Sequence, residues 1–324
     1  DLVVYGAVLT VEAAELPKPA WGTLWKAATE PPLEMDRRIL RRTVARLAEE
    51  TLALLGDAAG DLLAGADRIG RESLTPTQLQ TSRVLPLAFS DRCHELAQQA
   101  ANGKAISAAD ITWLSNHRAA RMRRGDLAVL ESMARISRYL DQPFSPKLDL
   151  LEQVRDYQRG GSFVDLAMMQ LRRALASSIH YHAEANKLLA ACRKRRDREN
   201  RHFAETLSGG YEAALHREGL TPLHRLWKRT VAPVWQQEPD ARLFLVVLDG
   251  CSYPVFLELL YALAQDSSFP LGIKPDASGL VAGLPALSPL PTITSHARGA
   301  IFLGELPNDP LVAETVFRDQ DEAD

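Results

Sequence analysis

The chain has 324 residues, of which 46% are hydrophobic and 24% are charged, and this composition excludes collagen-like, disulfide-scaffold and globally disordered proteins. The net charge of −3 hides an asymmetry, because residues 240–324 carry 12 acidic against 4 basic side chains and residues 1–239 carry 29 against 34, which indicates two parts with different roles. No run of about 18 uncharged apolar residues occurs, and the three cysteines are widely separated without a CxxC spacing, so we expect no membrane span, no disulfide framework and a reducing, cytoplasmic setting.

The sequence from about residue 35 to residue 230 has the pattern of a multi-helix region. Apolar residues recur three and four positions apart, and Ala, Leu, Arg and Glu dominate, which predicts α-helices. Ser107 and Asp110 have the spacing of a capping box, which predicts the start of one helix. The opening apolar run, residues 2–11, is consistent with either a buried strand or a helix.

Breaks in this helical pattern are predicted at proline and glycine residues. Pro143 and Pro146 end one predicted helix, and the pair Gly160–Gly161 ends the next. After the glycine pair, residues 162–208 are expected to form one continuous helical stretch.

The pattern changes after residue 237. Residues 242–248 form a continuous apolar run of the length expected for a parallel strand buried on both faces. A helix is predicted over residues 254–265, and another leads from Thr292 through Leu303 to a stop at Gly304. A strand followed by a helix is typical of the start of an α/β fold.

Two polar residues stand at the ends of these predicted elements. Asp249 directly follows the apolar run, and open α/β sheets bind ligands at the carboxyl ends of their strands. The pair Asp249–Gly250 is equally consistent with a simple turn. Thr294 stands at a predicted helix start, where backbone N–H groups favour an anion such as phosphate, although Thr is also a common N-cap. Asp249 and Thr294 are therefore the candidate site residues.

The segments around these two residues resemble the PglZ family. The first, residues 243–256, contains Leu-Val-Val-Leu-Asp-Gly-Cys-Ser-Tyr, and the second, residues 288–306, contains Pro-Thr-Ile-Thr-Ser-His-Ala-Arg-Gly. PglZ proteins look like members of the alkaline phosphatase superfamily and belong to BREX and Pgl phage-defence systems, among which the BREX type 2 form is one candidate. The resemblance covers about residues 240–324.

The helical pattern and the resemblance together predict the fold and its division into domains. We expect a mainly α multi-helix region over residues 1–236, which docks partners or DNA. We expect the first part of an alkaline-phosphatase-like α/β domain over residues 237–324.

The resemblance also implies an activity. Asp249 matches an aspartate that binds a divalent metal, expected to be zinc, and Thr294 matches the nucleophile, whose hydroxyl also touches a metal. The superfamily takes its remaining metal ligands from later segments, and the chain ends 30 residues after Thr294. We therefore expect this chain to be a fragment of a longer protein. The two-metal site would be complete only in that longer protein.

The strongest local charge lies in residues 172–201, with 9 basic against 3 acidic side chains. This excess favours binding of DNA or an acidic partner, and it is equally typical of a solvated helix. The residues expected to contact DNA are Arg193, Lys194, Arg195, Arg196 and Arg198.

Two functions from different classes follow from these patterns. The first is a PglZ-like, metal-dependent phosphodiesterase or phosphatase, with nuclease activity as one form, that works with other BREX or Pgl proteins. The alternative is a non-catalytic scaffold that assembles other defence proteins or DNA.

Overall fold

The computed structural model describes residues 1–12, 14, 16, 18–28, 36–146, 149–237, 242, 246–265 and 285–306. Helices account for 76% of these residues and strands for 2%, so the described part of the chain is mainly helical, as the sequence predicts. The backbone divides into two compact units, Asp1–Pro143 with Ala167–Lys194, and Phe144–Leu166 with Arg195–Asp324. The domain boundary expected at residues 236/237 falls inside the second unit.

The first unit consists of helices joined by short turns. Two helices cross the division between the units, α10 (Ser162–Ser177) and α11 (His182–Ala214), and they contribute residues 167–177 and 182–194 here. The preceding helices of this unit are α1 (Leu2–Leu9), α2 (Lys18–Ala28), α3 (Arg37–Leu55), α4 (Gly60–Ser73), α5 (Pro76–Thr81), α6 (Pro86–Ala101), α7 (Ala108–Ser115) and α8 (Arg124–Asp141).

Local side-chain contacts define the starts of several of these helices. The capping box predicted at Ser107 is confirmed, because its hydroxyl accepts from the Asp110 N–H at 3.1 Å and the Asp110 carboxylate accepts from the Ser107 N–H at 3.2 Å. Thr75 and Gln78 form a second such box at the start of α5. Each box satisfies backbone donors that the first helical turn leaves unpaired.

The core of the first unit includes a close crossing of α1 and α3. A Cβ atom built on Gly6 would lie 2.6 Å from both the Val44 carbonyl oxygen and the Ala48 Cβ atom, so only glycine lets the two backbones approach this closely. Leu40 and Leu52 are buried in the same apolar cluster. The opening run, ambiguous in the sequence, is therefore a packed helix.

The second unit contains shorter elements and a small parallel strand pair. Strand β1 (Thr221–Pro222) pairs with β2 (Ala286–Leu287), and Leu150, Leu151, Ala214 and Leu220 form an apolar cluster. Besides parts of α10 and α11, its described helices are α9 (Leu150–Asp156), α12 (Ala232–Gln237), α13 (Tyr253–Gln265) and α14 (Thr294–Leu303), with π-helical turns over Tyr157–Gly161 and Trp227–Val231.

Two sequence predictions about helix breaks are wrong. The glycine pair at 160–161 does not end a helix, because the π-helical turn Tyr157–Gly161 joins α9 directly to α10. The stretch 162–208 is not one helix, because α10 ends at Ser177 and α11 begins at His182. Tyr181, just before α11, has a left-handed backbone with a φ of 66°, a conformation that ends a helix locally.

The strand predicted over residues 242–248 is not found in the described part of that run, residues 242 and 246–248. Residues 243–245 lie outside the described residues. Val246, Val247 and Leu248 are in no helix or strand, and all three are exposed. The expectation of burial on both faces is wrong for this part of the run. A buried strand needs a hydrogen-bonded neighbour on each side, and β1 with β2 is the only strand pair among the described residues.

Candidate functional site

The structure connects Asp249 to the helix that begins at Thr294. The Arg298 Nη2 atom donates a hydrogen bond to the Asp249 Oδ2 atom at 2.8 Å, and the two side chains are 49% and 46% exposed. Arg298 lies four residues after Thr294 in α14 and therefore on the same helix face. The two candidate residues, 45 positions apart in sequence, are thus linked through Arg298.

Thr294 stands at the first position of α14 and does not cap it. Ile293 is the N-cap, and its carbonyl oxygen accepts a hydrogen bond from the Ala297 N–H at 2.9 Å. Thr294 is exposed. The interpretation of this residue as only an N-cap is therefore wrong.

The described residues do not by themselves fit a complete metal centre. The Asp249 carboxylate pairs with an arginine, and among the described residues no group of three or more His, Cys, Asp or Glu side chains could hold a metal ion. A catalytic zinc site normally has three protein ligands and an open position. Asp249 and Thr294 supply only two ligating side chains.

An aromatic contact supports the turn that carries Asp249. The chain continues from the Asp249–Gly250 turn into α13, whose first residue, Tyr253, lies with its ring centroid 6.3 Å from that of Tyr157. The Arg196 guanidinium lies over the other ring of this pair, 5.2 Å from the Tyr157 centroid. Burial, with the nearby Asp165 carboxylate, raises the pKa of Tyr157 to about 12, so this phenol stays neutral at physiological pH.

Sequence reasoning missed Tyr157 and Tyr253 as supports of the candidate site. Both are single aromatic residues at helix boundaries, and their contact joins positions almost a hundred residues apart. The available signal is the Gly160–Gly161 pair beside Tyr157, which by sequence alone predicts a helix break.

The basic residues predicted to contact DNA differ in their burial and in their ion pairs. Arg195 is buried and donates to Glu199 at 2.7 Å, and Arg196 donates to Asp165 at 3.1 Å and also pairs with Glu199. These two arginines form ion pairs within the second unit, so a DNA contact through them would compete with those pairs. The members of the predicted set that remain exposed on α11 are Arg193, Lys194 and Arg198.

The cysteines differ in their access to solvent. Cys93 and Cys192 are buried, whereas Cys251, two residues after Asp249, is partly exposed. Burial raises the pKa of the Cys93 thiol to about 12, which removes it from thiolate chemistry near neutral pH.

Comparison with known proteins gives no relative for this chain. No protein-family model, curated protein or solved structure matches it. Among the described residues, no helix has both the length and the apolar character needed to cross a membrane.

Proposed function

We propose that the chain is a PglZ-like component of a cytoplasmic BREX or Pgl antiphage system, with metal-dependent phosphoester hydrolysis as its activity. The observation that carries the proposal is the ion pair between Asp249 and Arg298. It joins the two motifs of the PglZ resemblance at the start of α14.

In this proposal the residues at the start of α14 have separate roles. The exposed Thr294 hydroxyl is the nucleophile, and the backbone N–H groups of the first turn favour the charge of a phosphoryl group. Arg298 holds the Asp249 turn against this helix. The proposal includes a divalent cation, zinc by preference. Asp249 and Thr294 would hold it, and its remaining ligands would come from outside the described residues.

The proposed activity is tested by replacing Thr294. We expect Thr294→Ala to abolish zinc- or manganese-dependent hydrolysis of bis-p-nitrophenyl phosphate and p-nitrophenyl phosphate. The melting temperature should stay unchanged, because this hydroxyl does not cap α14. The protein is assayed in the presence of each metal, and phage plating on host cells carrying the same variant provides a second measurement.

The matched control is Thr292→Ala, which removes the other exposed threonine hydroxyl of the same motif and should retain hydrolysis. Equal activity of Thr294→Ala and Thr292→Ala would remove the enzyme proposal. Absence of hydrolysis in the unmodified protein with every metal would favour the scaffold.

The exposed bases of α11 favour the second candidate function, a scaffold that docks DNA. Arg193, Lys194 and Arg198 remain exposed on one helix, where they can neutralise phosphates without breaking an internal ion pair. We expect each change to Ala to weaken binding of duplex DNA and to reduce the slope of log K against log salt by about one unit.

Fluorescence anisotropy at several salt concentrations measures this slope. Arg68→Ala, which removes an exposed base from α4, is the control and should leave the slope unchanged. An unchanged slope in all three α11 variants would mean that these bases are only solvated.

A further inference from the structure

The outer face of α3 carries an apolar stripe that no other described element covers. The inner face is packed, with Leu40, Val44 and Leu52 buried. On the outer side, Ile39, Leu47 and Leu54 are 56%, 50% and 89% exposed. Their separations of eight and seven residues place them within one stripe along the helix. Single exposed leucines are ordinary, but a stripe along a whole helix is the pattern of a helix–helix interface.

The charges beside this stripe are divided between the two halves of α3. Arg38, Arg42 and Arg46 are exposed in the first half, and Glu49 and Glu50 are exposed in the second. A parallel copy of the helix would place arginines against arginines. An antiparallel copy would place Arg42 of each helix near Glu49 and Glu50 of the other, whereas Arg46, which pairs with Glu50 of its own helix at 3.7 Å, would lie near the axis.

The positions of the apolar residues fit the same antiparallel arrangement. With a twofold axis between residues 46 and 47, Ile39 lies opposite Leu54 of the second copy, and Leu47 lies beside the axis. Arg42 then lies within about one residue, or roughly 1.5 Å along the axis, of Glu50 of the second copy. The helix has 19 residues, so the shared surface would be about 28 Å long.

We propose that the chain forms a homodimer in which α3 pairs with α3 of a second copy in antiparallel orientation. The charges of α3 favour a second copy as the partner, because Arg42 and Glu50 on the same surface supply the two opposite signs. One helix pair gives a small interface, so the dimer is expected to be weak, with a micromolar dissociation constant. This proposal is independent of the proposed enzymatic and DNA-docking functions.

Sedimentation equilibrium of the full chain from about 1 to about 100 µM tests the apolar contact. The unmodified chain should shift from monomer to dimer over this range, and the double variant Leu47→Glu, Leu54→Glu should remain monomeric. The matched control is Ile179→Glu, which adds the same charge at an apolar position of the first unit that is 88% exposed, and this variant should still dimerise.

Exchange of two charges tests the orientation and does not depend on the apolar variants folding. Arg42→Glu alone and Glu50→Arg alone should each raise the dissociation constant by about tenfold or more, because like charges then face each other. The double variant Arg42→Glu, Glu50→Arg should restore dimerisation, because residue 42 of each antiparallel copy again faces an opposite charge at residue 50 of the other. A chain that is monomeric at about 100 µM, a dimer that survives the double leucine change, or a double charge variant that stays monomeric would each overturn the proposal.

Discussion

His117 shows how a single buried residue makes the stability of the first unit depend on pH. The side chain is buried, and its ring centroid lies 5.3 Å from that of Phe89 and 5.2 Å from that of Trp113. Its Nδ1 atom accepts a hydrogen bond from the Ala119 N–H at 3.0 Å. Burial lowers the pKa of His117 to about 4, from an ordinary value of 6.5. The folded state therefore holds this imidazole neutral.

The sign of the pH dependence follows from this lowered pKa. Below pH 6.5 the unfolded chain binds a proton at this residue, and the folded chain does not until about pH 4. The stabilisation is therefore complete above pH 6.5 and is lost as the pH falls towards 4. Between pH 7 and pH 5 we expect His117 to account for a loss of about 2 kcal/mol in the free energy of unfolding.

Urea unfolding at pH 7 and pH 5 measures this loss. The His117→Gln variant should lose less stability than the unmodified chain between the two pH values, because it has no imidazole to protonate. The exposed His94 supplies the control, since His94→Gln should follow the unmodified chain. An identical pH dependence in His117→Gln and the unmodified chain would contradict this assignment.

At the scale of the element, the π-helical turn Tyr157–Gly161 brings an aromatic ring and an arginine together. A Cβ atom on Gly161 would lie 2.7 Å from the Tyr157 Cδ2 atom and 3.1 Å from the Arg196 Nη1 atom. The absence of a side chain therefore lets Arg196 reach both the ring and its carboxylate partners. Gly160, one residue earlier, would meet nothing within 4 Å.

The two neighbouring glycines should respond in opposite ways to the same change. Gly161→Ala should lower the free energy of unfolding by about 1–3 kcal/mol, because Tyr157 or Arg196 must move. Gly160→Ala should be neutral or raise it by up to about 1 kcal/mol, because alanine is the better helix former. Thermal unfolding followed by circular dichroism measures both. Equal shifts of the melting temperature in the two variants would show that a side chain at residue 161 does not destabilise the packing around it.

For the whole molecule, sequence patterns predict features that depend on near neighbours and fail for those that depend on distant ones. The capping box of Ser107 involves residues three apart, and the end of α14 at Gly304 is also a local signal. Both are confirmed. The burial of residues 246–248 depends on neighbouring strands that no local pattern specifies, and that prediction is wrong for the described part.

The candidate site shows the same limit. The positions of Asp249 after an apolar run and of Thr294 at a helix start could be predicted from the sequence. The contact between Asp249 and Arg298 could not, because 49 residues separate them. Arg196 seemed available for DNA because its partner Asp165 lies 31 residues earlier. A run of bases reports net charge, and only the fold reports which of those charges are already paired.

The difference in solvent exposure among the three cysteine side chains has a practical consequence for spectroscopy. Cys93 and Cys192 are buried, and Cys251 is partly exposed beside the Asp249 turn. A maleimide fluorophore or nitroxide spin label added to the native chain therefore attaches at Cys251, without engineered cysteines. The label would stand two residues from Asp249, so its emission or line shape would report rearrangement of that turn when metal ions or phosphoesters are added.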